Sequence, residues 1–401
     1  MPSPKTERDL SLQFPHEIMK GAAGYFSKVF SDHFEAPKHF FFMSYLTCLG
    51  NLLANRIKLE SSLRTQPRLY TIIIGESASD KKSTAIDETV IHFEEIFGDK
   101  FAYTLGVGSA EGLQKKFKKS SSFAFSTDDE DKSPSLSLLL SLDEFKAFVM
   151  KCKIRNSILL ECVNSLFEKN KYENHTQKTS ISLEKAHLSV LGASTVETYE
   201  RIYDSNFITI GFPNRIFLVV GTGIRKHPIP PPIPHTAKKI MTNFLTNINN
   251  FIGDHYTYSI DRDAWNLYSS WYHALDGTSI HSKRLDGYCL RIIMLLAANK
   301  RLKTITKEIV SDAIKLCNWE FEVRMVYDPI DADNEIASME QKIRRWVKEL
   351  KSCKEYKLKQ KTNANRTGLW IFGKAINNLK MAGEIELDKE KLEYRICNRG
   401  A

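Results

Sequence analysis

The stretch LYTIIIGESASDKKSTAIDETV, Leu69 to Val90, runs from an apolar strand pattern through small residues and two lysines into a helical pattern. A strand, a glycine-containing turn and a helix N-terminus bring unpaired N–H groups and the positive end of a helix dipole together, which makes an anion site. Lysine adds a mobile charge for phosphates, and a Ser or Thr hydroxyl adds a Mg2+ ligand. The spacing departs from G-x-x-x-x-G-K-[ST]. Counted from Gly75, the second glycine falls on Asp80, the lysine on Lys81 and the hydroxyl on Lys82. Anchored on its end instead, the motif finds Lys82-Ser83-Thr84, with one extra residue in the turn. An ordinary strand-to-helix turn with surface lysines explains the loop as well. Its partners along the chain decide.

A nucleotide-hydrolysing site needs an acid at the end of another buried strand, to hold the metal shell and polarise water. SLSLLLSLDEF supplies Asp143 and Glu144 after an apolar run, although the pair also fits a plain helix cap. HLSVLGAST ends in the hydroxyls Ser194 and Thr195, where a phosphate sensor would sit. GFPNRIF puts Arg215 after a tight turn, either as an arginine finger or as a structural ion-pair partner. The order of these four elements favours an ATPase.

The net charge of +9 points to polyanions. Residues 335–401 hold 16 Lys and Arg against 9 Asp and Glu, so most of the excess lies there. The seven cysteines are scattered and never spaced C-x-x-C, which reads as buried free thiols. No apolar run nears the roughly 18 residues that span a bilayer. MPSPKTERDL lacks the apolar segment of a signal peptide, so a cytoplasmic protein with no membrane partner is expected.

The pattern divides the chain into an N-terminal helical segment (1–65), an α/β core (66–228), a helical lid (229–330) and a basic C-terminal domain (331–401). PHEIMKGAAGYFSKVFSDHF and PKHFFFMSYLTCLGNLLANR each read as amphipathic helices opened by proline. Short apolar runs alternating with helices predict a mostly parallel sheet. Lys118 to Ser135 is polar and serine-rich, which predicts a loop. RKHPIPPPIPHT breaks the pattern and marks a linker. At the C-terminus, helices followed by a hairpin around DKEK give a winged-helix pattern. Its candidate DNA contacts are Lys359, Lys361, Asn365, Arg366, Lys374 and Lys380, unless the basic face serves protein docking.

Together FPHEIMKGAAGYF, IIIGESASDKKST, GVGSAEGL, LLLSLDEF, HLSVLGAST, GFPNR and IDRDAWNLYSSWY resemble the primase-associated, helicase-like P-loop ATPases of phages, plasmids and integrated elements. More distantly they are similar to AAA+ replicative helicases of the minichromosome-maintenance type. The resemblance covers about Phe14 to Glu322. It implies an AAA+/RecA-like P-loop ATPase core acting as an ATP-dependent DNA motor, helicase or helicase loader in replication of a mobile element. It also implies a homo-oligomeric ring, with a hexamer as one size and a primase or other replication protein as partner. The family's one-residue-longer loop matches DKKST, which makes Lys82 the phosphate lysine. Gly75, Glu76, Ser77, Lys81, Ser83 and Thr84 then surround ATP. Ser83 and Asp143 hold Mg2+, Glu144 orients water and Thr195 senses phosphate. Arg215 reaches a neighbouring subunit, and a lid arginine, Arg284 or Arg291, returns to the nucleotide. Asp80 departs from the family's small residue, and a carboxylate beside phosphates would repel them. That favours the alternative of a non-hydrolysing DNA-binding initiator or adaptor.

Overall fold

A computed structural model describes residues 12–76, 80–122, 136–175, 180–203, 207, 210–223, 226–275, 280–327, 335–362, 364–388 and 390–397, setting aside the side chains of 119–122, 200, 201, 280, 335, 349 and 366. The chain forms two compact units, Met1–Ile202 with Gly211–Tyr327, and Tyr203–Ile210 with Asp328–Ala401. The strands in chain order are β1 (Ile57–Leu59), β2 (Tyr70–Gly75), β3 (Tyr103–Thr104), β4 (Leu136–Leu142), β5 (Tyr172–His175), β6 (Ser180–Leu183), β7 (Ala186–Thr195), β8 (Phe217–Val220), β9 (Tyr256–Tyr258), β10 (Ser352–Lys354), β11 (Ile385–Asp388) and β12 (Glu393–Ile396).

The larger unit is a mixed α/β fold built on a five-stranded parallel sheet in the order β3-β4-β7-β2-β8. Strands β2 and β8 are buried at every residue, as near-continuous apolar runs require when helices cover both faces. Gly75 pairs with Thr195, Ile74 with Val220 and Leu142 with Gly192, so β2, β4, β7 and β8 finish at one edge. The chain runs from β2 outward to β3, returns through β4 and β7, and then crosses to β8 on the far side of β2. That reversal beside β2 is a switch point, where open α/β sheets bind ligands at strand carboxyl ends.

Helix Lys38–Leu52 lies across this sheet, against β2, β4, β7 and β8. The spacing predicts an amphipathic helix, but every residue from His39 to Leu52 is buried. Helices Gly21–Phe34, Lys82–Phe97 and Leu285–Asn299 also pack on it, so it has no solvent face. Of its polar groups, Thr47 is satisfied within the core: its Oγ1 donates to Met43 O and lies 2.8 Å from Thr71 Oγ1 on β2. Gly50 permits the close approach of Pro67, because a Cβ there would sit 2.4 Å from the Pro67 carbonyl oxygen.

Strand β8 is anchored from the opposite side. Arg324 and Glu320, both fully buried on helix Lys307–Tyr327, pair at 3.0 Å. Glu320 also accepts from Leu218 N at 2.8 Å, and Arg324 donates to Ile216 O at 2.8 Å. Breaking one partner of such a pair costs about 3–5 kcal/mol. The anchor holds the beginning of β8.

Two expectations are corrected. Helix Ala110–Ser122 carries the chain well into the segment expected to be loop, and 123–135 lie outside the described residues. The β5–β6 hairpin and the β1–β9 parallel pair were not foreseen, being three or four residues long with no sustained alternation. Cys48, Cys152, Cys162, Cys289, Cys317 and Cys353 are buried free thiols.

In the C-terminal unit, helix Glu335–Leu350 leads through β10, helices Glu355–Lys361, Ala364–Thr367 and Leu369–Met381, and then β11 and β12. The three strands pair antiparallel in the order β10-β12-β11. Ile343, Trp346, Leu358, Phe372, Leu379 and Tyr394 lie in its hydrophobic core. This unit therefore has a core of its own.

Candidate functional site

The carboxyl end of β2 joins helix Lys82–Phe97 through the loop, of which Ser77 lies outside the described residues. Exposed Lys81 holds the N-cap in the left-handed region at φ 50°, and no side chain caps the helix. The first N–H groups of the helix, with Ser83 and Thr84 half-buried beside them, form its positive end. Lys82 is only 9 % exposed. Its Nζ donates to Gly75 O at 3.2 Å and to Glu76 O. Burial lowers its pKa, and the nearby charges of Asp80, Glu144 and Glu76 oppose that shift. The two lysines are therefore unlike: one is exposed, the other is buried with its ammonium on the carbonyls at the end of β2.

Asp143 and Glu144 follow β4 at the same end of the sheet. One strand, β7, lies between β4 and β2, so the acids stand about 10 Å to the side of the loop. Both are exposed. Glu144 Oε1 accepts from Lys146 N at 3.3 Å, capping helix Phe145–Cys152. Thr195 ends β7 next to Gly75, and its Oγ1 bonds Thr198 Oγ1 at 2.8 Å. Lys82, the acids and Thr195 thus come together.

An acid that the motifs did not mark joins them. Asp87, five residues beyond Lys82, meets Asp143. Burial, the negative charge of Asp143 and a hydrogen bond to it push the Asp87 carboxyl up to about 6. Only the sheet order reveals this pair, since nothing local in AIDET distinguishes Asp87. A carboxyl raised above its ordinary value favours the protonated folded state. Its contribution is fullest below pH 4 and is lost as pH rises through about 6. Asp87→Asn should therefore leave the unfolding midpoint little changed at pH 4 and raise it by roughly 2 °C at pH 7.5. Thermal unfolding across pH 4–8 checks this, and a midpoint that falls at pH 7.5 would exclude repulsion between the two acids.

The arginines fall elsewhere. Arg215 precedes β8, whose Phe217 pairs with Thr71 near the start of β2. It therefore lies at the opposite edge of the sheet from Gly75, more than about 13 Å away along the strand. Arg215 is 12 % exposed, donates to Gly211 O at 2.8 Å and approaches Glu168 at 3.8 Å. Arg284, 33 % exposed, pairs with the same Glu168 carboxylate. Arg291 is buried, donating to Arg68 O and Phe167 O at 3.0 Å each. The resemblance implies that a lid arginine, Arg284 or Arg291, returns to the nucleotide. Both lie away from the loop of this chain: Tyr288, one turn beyond Arg284, bonds Arg215 O, and Arg291 bonds Arg68 O ahead of β2, so that helix stands at the edge opposite Gly75.

In the C-terminal unit, Lys374 and Lys380 lie exposed on helix Leu369–Met381, as does Asn365 on the preceding helix. Lys359 bonds Glu355 at 2.6 Å, and Lys361 covers the Trp346 ring at 4.8 Å. The Arg366 side chain lies outside those described. Trp370, 65 % exposed, and Asn377 share the outward face with Lys374, whose Nζ is 5.6 Å from the Trp370 ring. Neither was singled out in the sequence, although the i, i+4, i+7 spacing of 370, 374 and 377 marks one helix face.

Among the described residues no group of three or more His, Cys, Asp and Glu side chains would hold a metal ion, and no helix is long and apolar enough to cross a membrane. No protein-family model matches the chain, and no curated protein matches it.

Proposed function

We propose that the chain is an ATP-dependent DNA motor or loader of the helicase-like P-loop type, with an ATPase core, a helical lid and a C-terminal winged helix. The observation that carries this reading is the shared position of Lys82, the open helix N-terminus and Asp143-Glu144 at the switch point of a parallel sheet. Helix N–H groups and Lys82 suit a triphosphate. Hard carboxylate and hydroxyl oxygens at Asp143 and Ser83 suit Mg2+, with the remaining ligands coming from nucleotide and water. Mg2+ would neutralise phosphate charge when bound. Lys82 would leave the carbonyls of Gly75 and Glu76 for the phosphates, and Glu144 would hold the attacking water. Arg215 and Arg284, remote from their own chain's loop, suit a neighbouring subunit's nucleotide in a ring. Exposed Lys374, Lys380 and Asn377 on the last helix suit a duplex groove, where phosphates position and bases specify. A primase or other replication protein is the partner the resemblance suggests.

The second reading is a DNA-binding initiator or adaptor that keeps the fold without hydrolysis. Glu144 engaged as a helix cap favours it. ATP turnover by the purified protein, with and without duplex DNA, separates the two. DNA-stimulated hydrolysis is expected, and Glu144→Gln should bind nucleotide yet lose turnover. A protein that binds Mg2+–ATP without turning it over would establish the adaptor, and one that binds none would sink the P-loop reading.

A further inference from the structure

Asp80 does not sit as a repulsive neighbour of the phosphates would. It is 0 % exposed. Its Oδ2 accepts from Glu76 N, at the start of the loop, and its Oδ1 accepts from Gly223 N at 2.8 Å, just after β8. Gly75 leaves room for it: a Cβ there would lie 2.5 Å from Asp80 Oδ2 and 3.0 Å from Gly221 O. The carboxylate therefore fills the seam between the ends of β2 and β8. Its charge also faces that of Lys82.

The segment it grips is held independently. His39, wholly buried with its pKa lowered by burial to about 4, donates through Nε2 to Val220 O at 2.7 Å. Gly221 is needed there, because a Cβ would lie 2.5 Å from that nitrogen. Glu35 accepts from Lys226 N and His227 N a few residues on. Besides Asp80, two side chains from the N-terminal helical region, His39 and Glu35, thus hold the end of β8 and the stretch after it. That stretch is a firm post for the loop.

We propose that Asp80 is a positioning residue for nucleotide, a strap that ties the phosphate loop to the end of β8 and sets where Lys82 and the helix N-terminus stand. This rests on the ATPase reading only for the identity of the ligand. The strap itself is a statement about two backbone amides. Because β8 begins two residues after Arg215, the same strap joins the loop to the strand that follows that arginine.

The sign of one substitution tests it. If the carboxylate repelled phosphates, Asp80→Asn would tighten nucleotide binding. As a strap, Asp80→Asn puts an amide N–H where one backbone N–H needs an acceptor. Affinity for a fluorescent ATP analogue should then fall about tenfold, the worth of one charged hydrogen bond, with kcat at saturation changed far less. Gly75→Ala, which displaces the carboxylate without removing it, should act in the same direction. Hydrogen exchange at Glu76 and Gly223 should accelerate in Asp80→Asn while the amides of helix Lys307–Tyr327 stay slow, which shows that the variant is folded. Tighter binding in Asp80→Asn, or unchanged exchange at both amides, would overturn the proposal. Faster exchange in a protein that binds no nucleotide would overturn both the positioning role and the ATPase reading.

Discussion

On the ATPase reading proposed above, Lys82→Ala should remove nucleotide turnover, by about a hundredfold or more, while Lys81→Ala should lower it only a few-fold. The loss of one preorganised charge at a transferring group is worth that much. The difference between the two lysines follows from their settings. Lys82 is nearly enclosed, its Nζ 3.2 Å from Gly75 O, whereas Lys81 is exposed at the left-handed cap. Burial already disfavours the Lys82 charge, so a bound phosphate that restores a counter-charge gains more there than at an exposed ammonium. Steady-state hydrolysis and analogue binding for both variants, with unfolding midpoints to show that each is folded, decide the register. A dead Lys81→Ala beside an active Lys82→Ala would place the motif one residue earlier and end the longer-loop reading.

Removing both Lys374 and Lys380 should flatten the salt dependence of duplex binding. Each phosphate contact contributes about 0.9 to the slope of log affinity against log salt, so two lost contacts reduce its magnitude by about 1.8. Affinity at low salt should fall strongly and to a similar extent on unrelated duplexes, because phosphates carry no sequence. Both side chains stand clear of the core of their unit, which lies on the opposite side of helix Leu369–Met381 at Ile371, Phe372, Ala375, Ile376 and Leu379. The substitutions therefore leave folding intact. Lys359, already paired with Glu355, should contribute less. A double variant whose slope equals that of the intact protein would remove this face from the DNA interface and leave it as a docking surface for protein.

Much of the sheet was legible because buried parallel strands leave uninterrupted apolar runs. YTIII, LSLLLSL, AHLSVLGAST and FLVV each appear in the sequence as such a run, and each is a strand of the sheet. The loop was legible for a related reason, since a lysine and hydroxyls directly after such a run are local chemistry. Helix Lys38–Leu52 was misread as amphipathic because periodicity records which residues tolerate burial, and not how many neighbours arrive. Helix Ala110–Ser122 was cut short because lysines and serines in a row look like loop until an apolar face at Leu113 and Phe117 finds something to cover.

What the sequence determined alone was the strands of the five-stranded sheet, the helices between them, the basic end of the chain and the residues at each of those strands' carboxyl ends. These depend on contacts between near neighbours in the chain and on the transfer of apolar groups from water. Only the tertiary structure decided which of those ends meet. The order β3-β4-β7-β2-β8 brings Asp143 to Asp87 and the charge of Glu144 to Lys82, sends Arg215 and Arg284 to the far edge around Glu168, and turns Asp80 from the expected repulsive carboxylate into the acceptor for two backbone amides. Each of these is a charge whose effect depends on what lies within a few ångströms, and strand order, which no local pattern encodes, sets those distances.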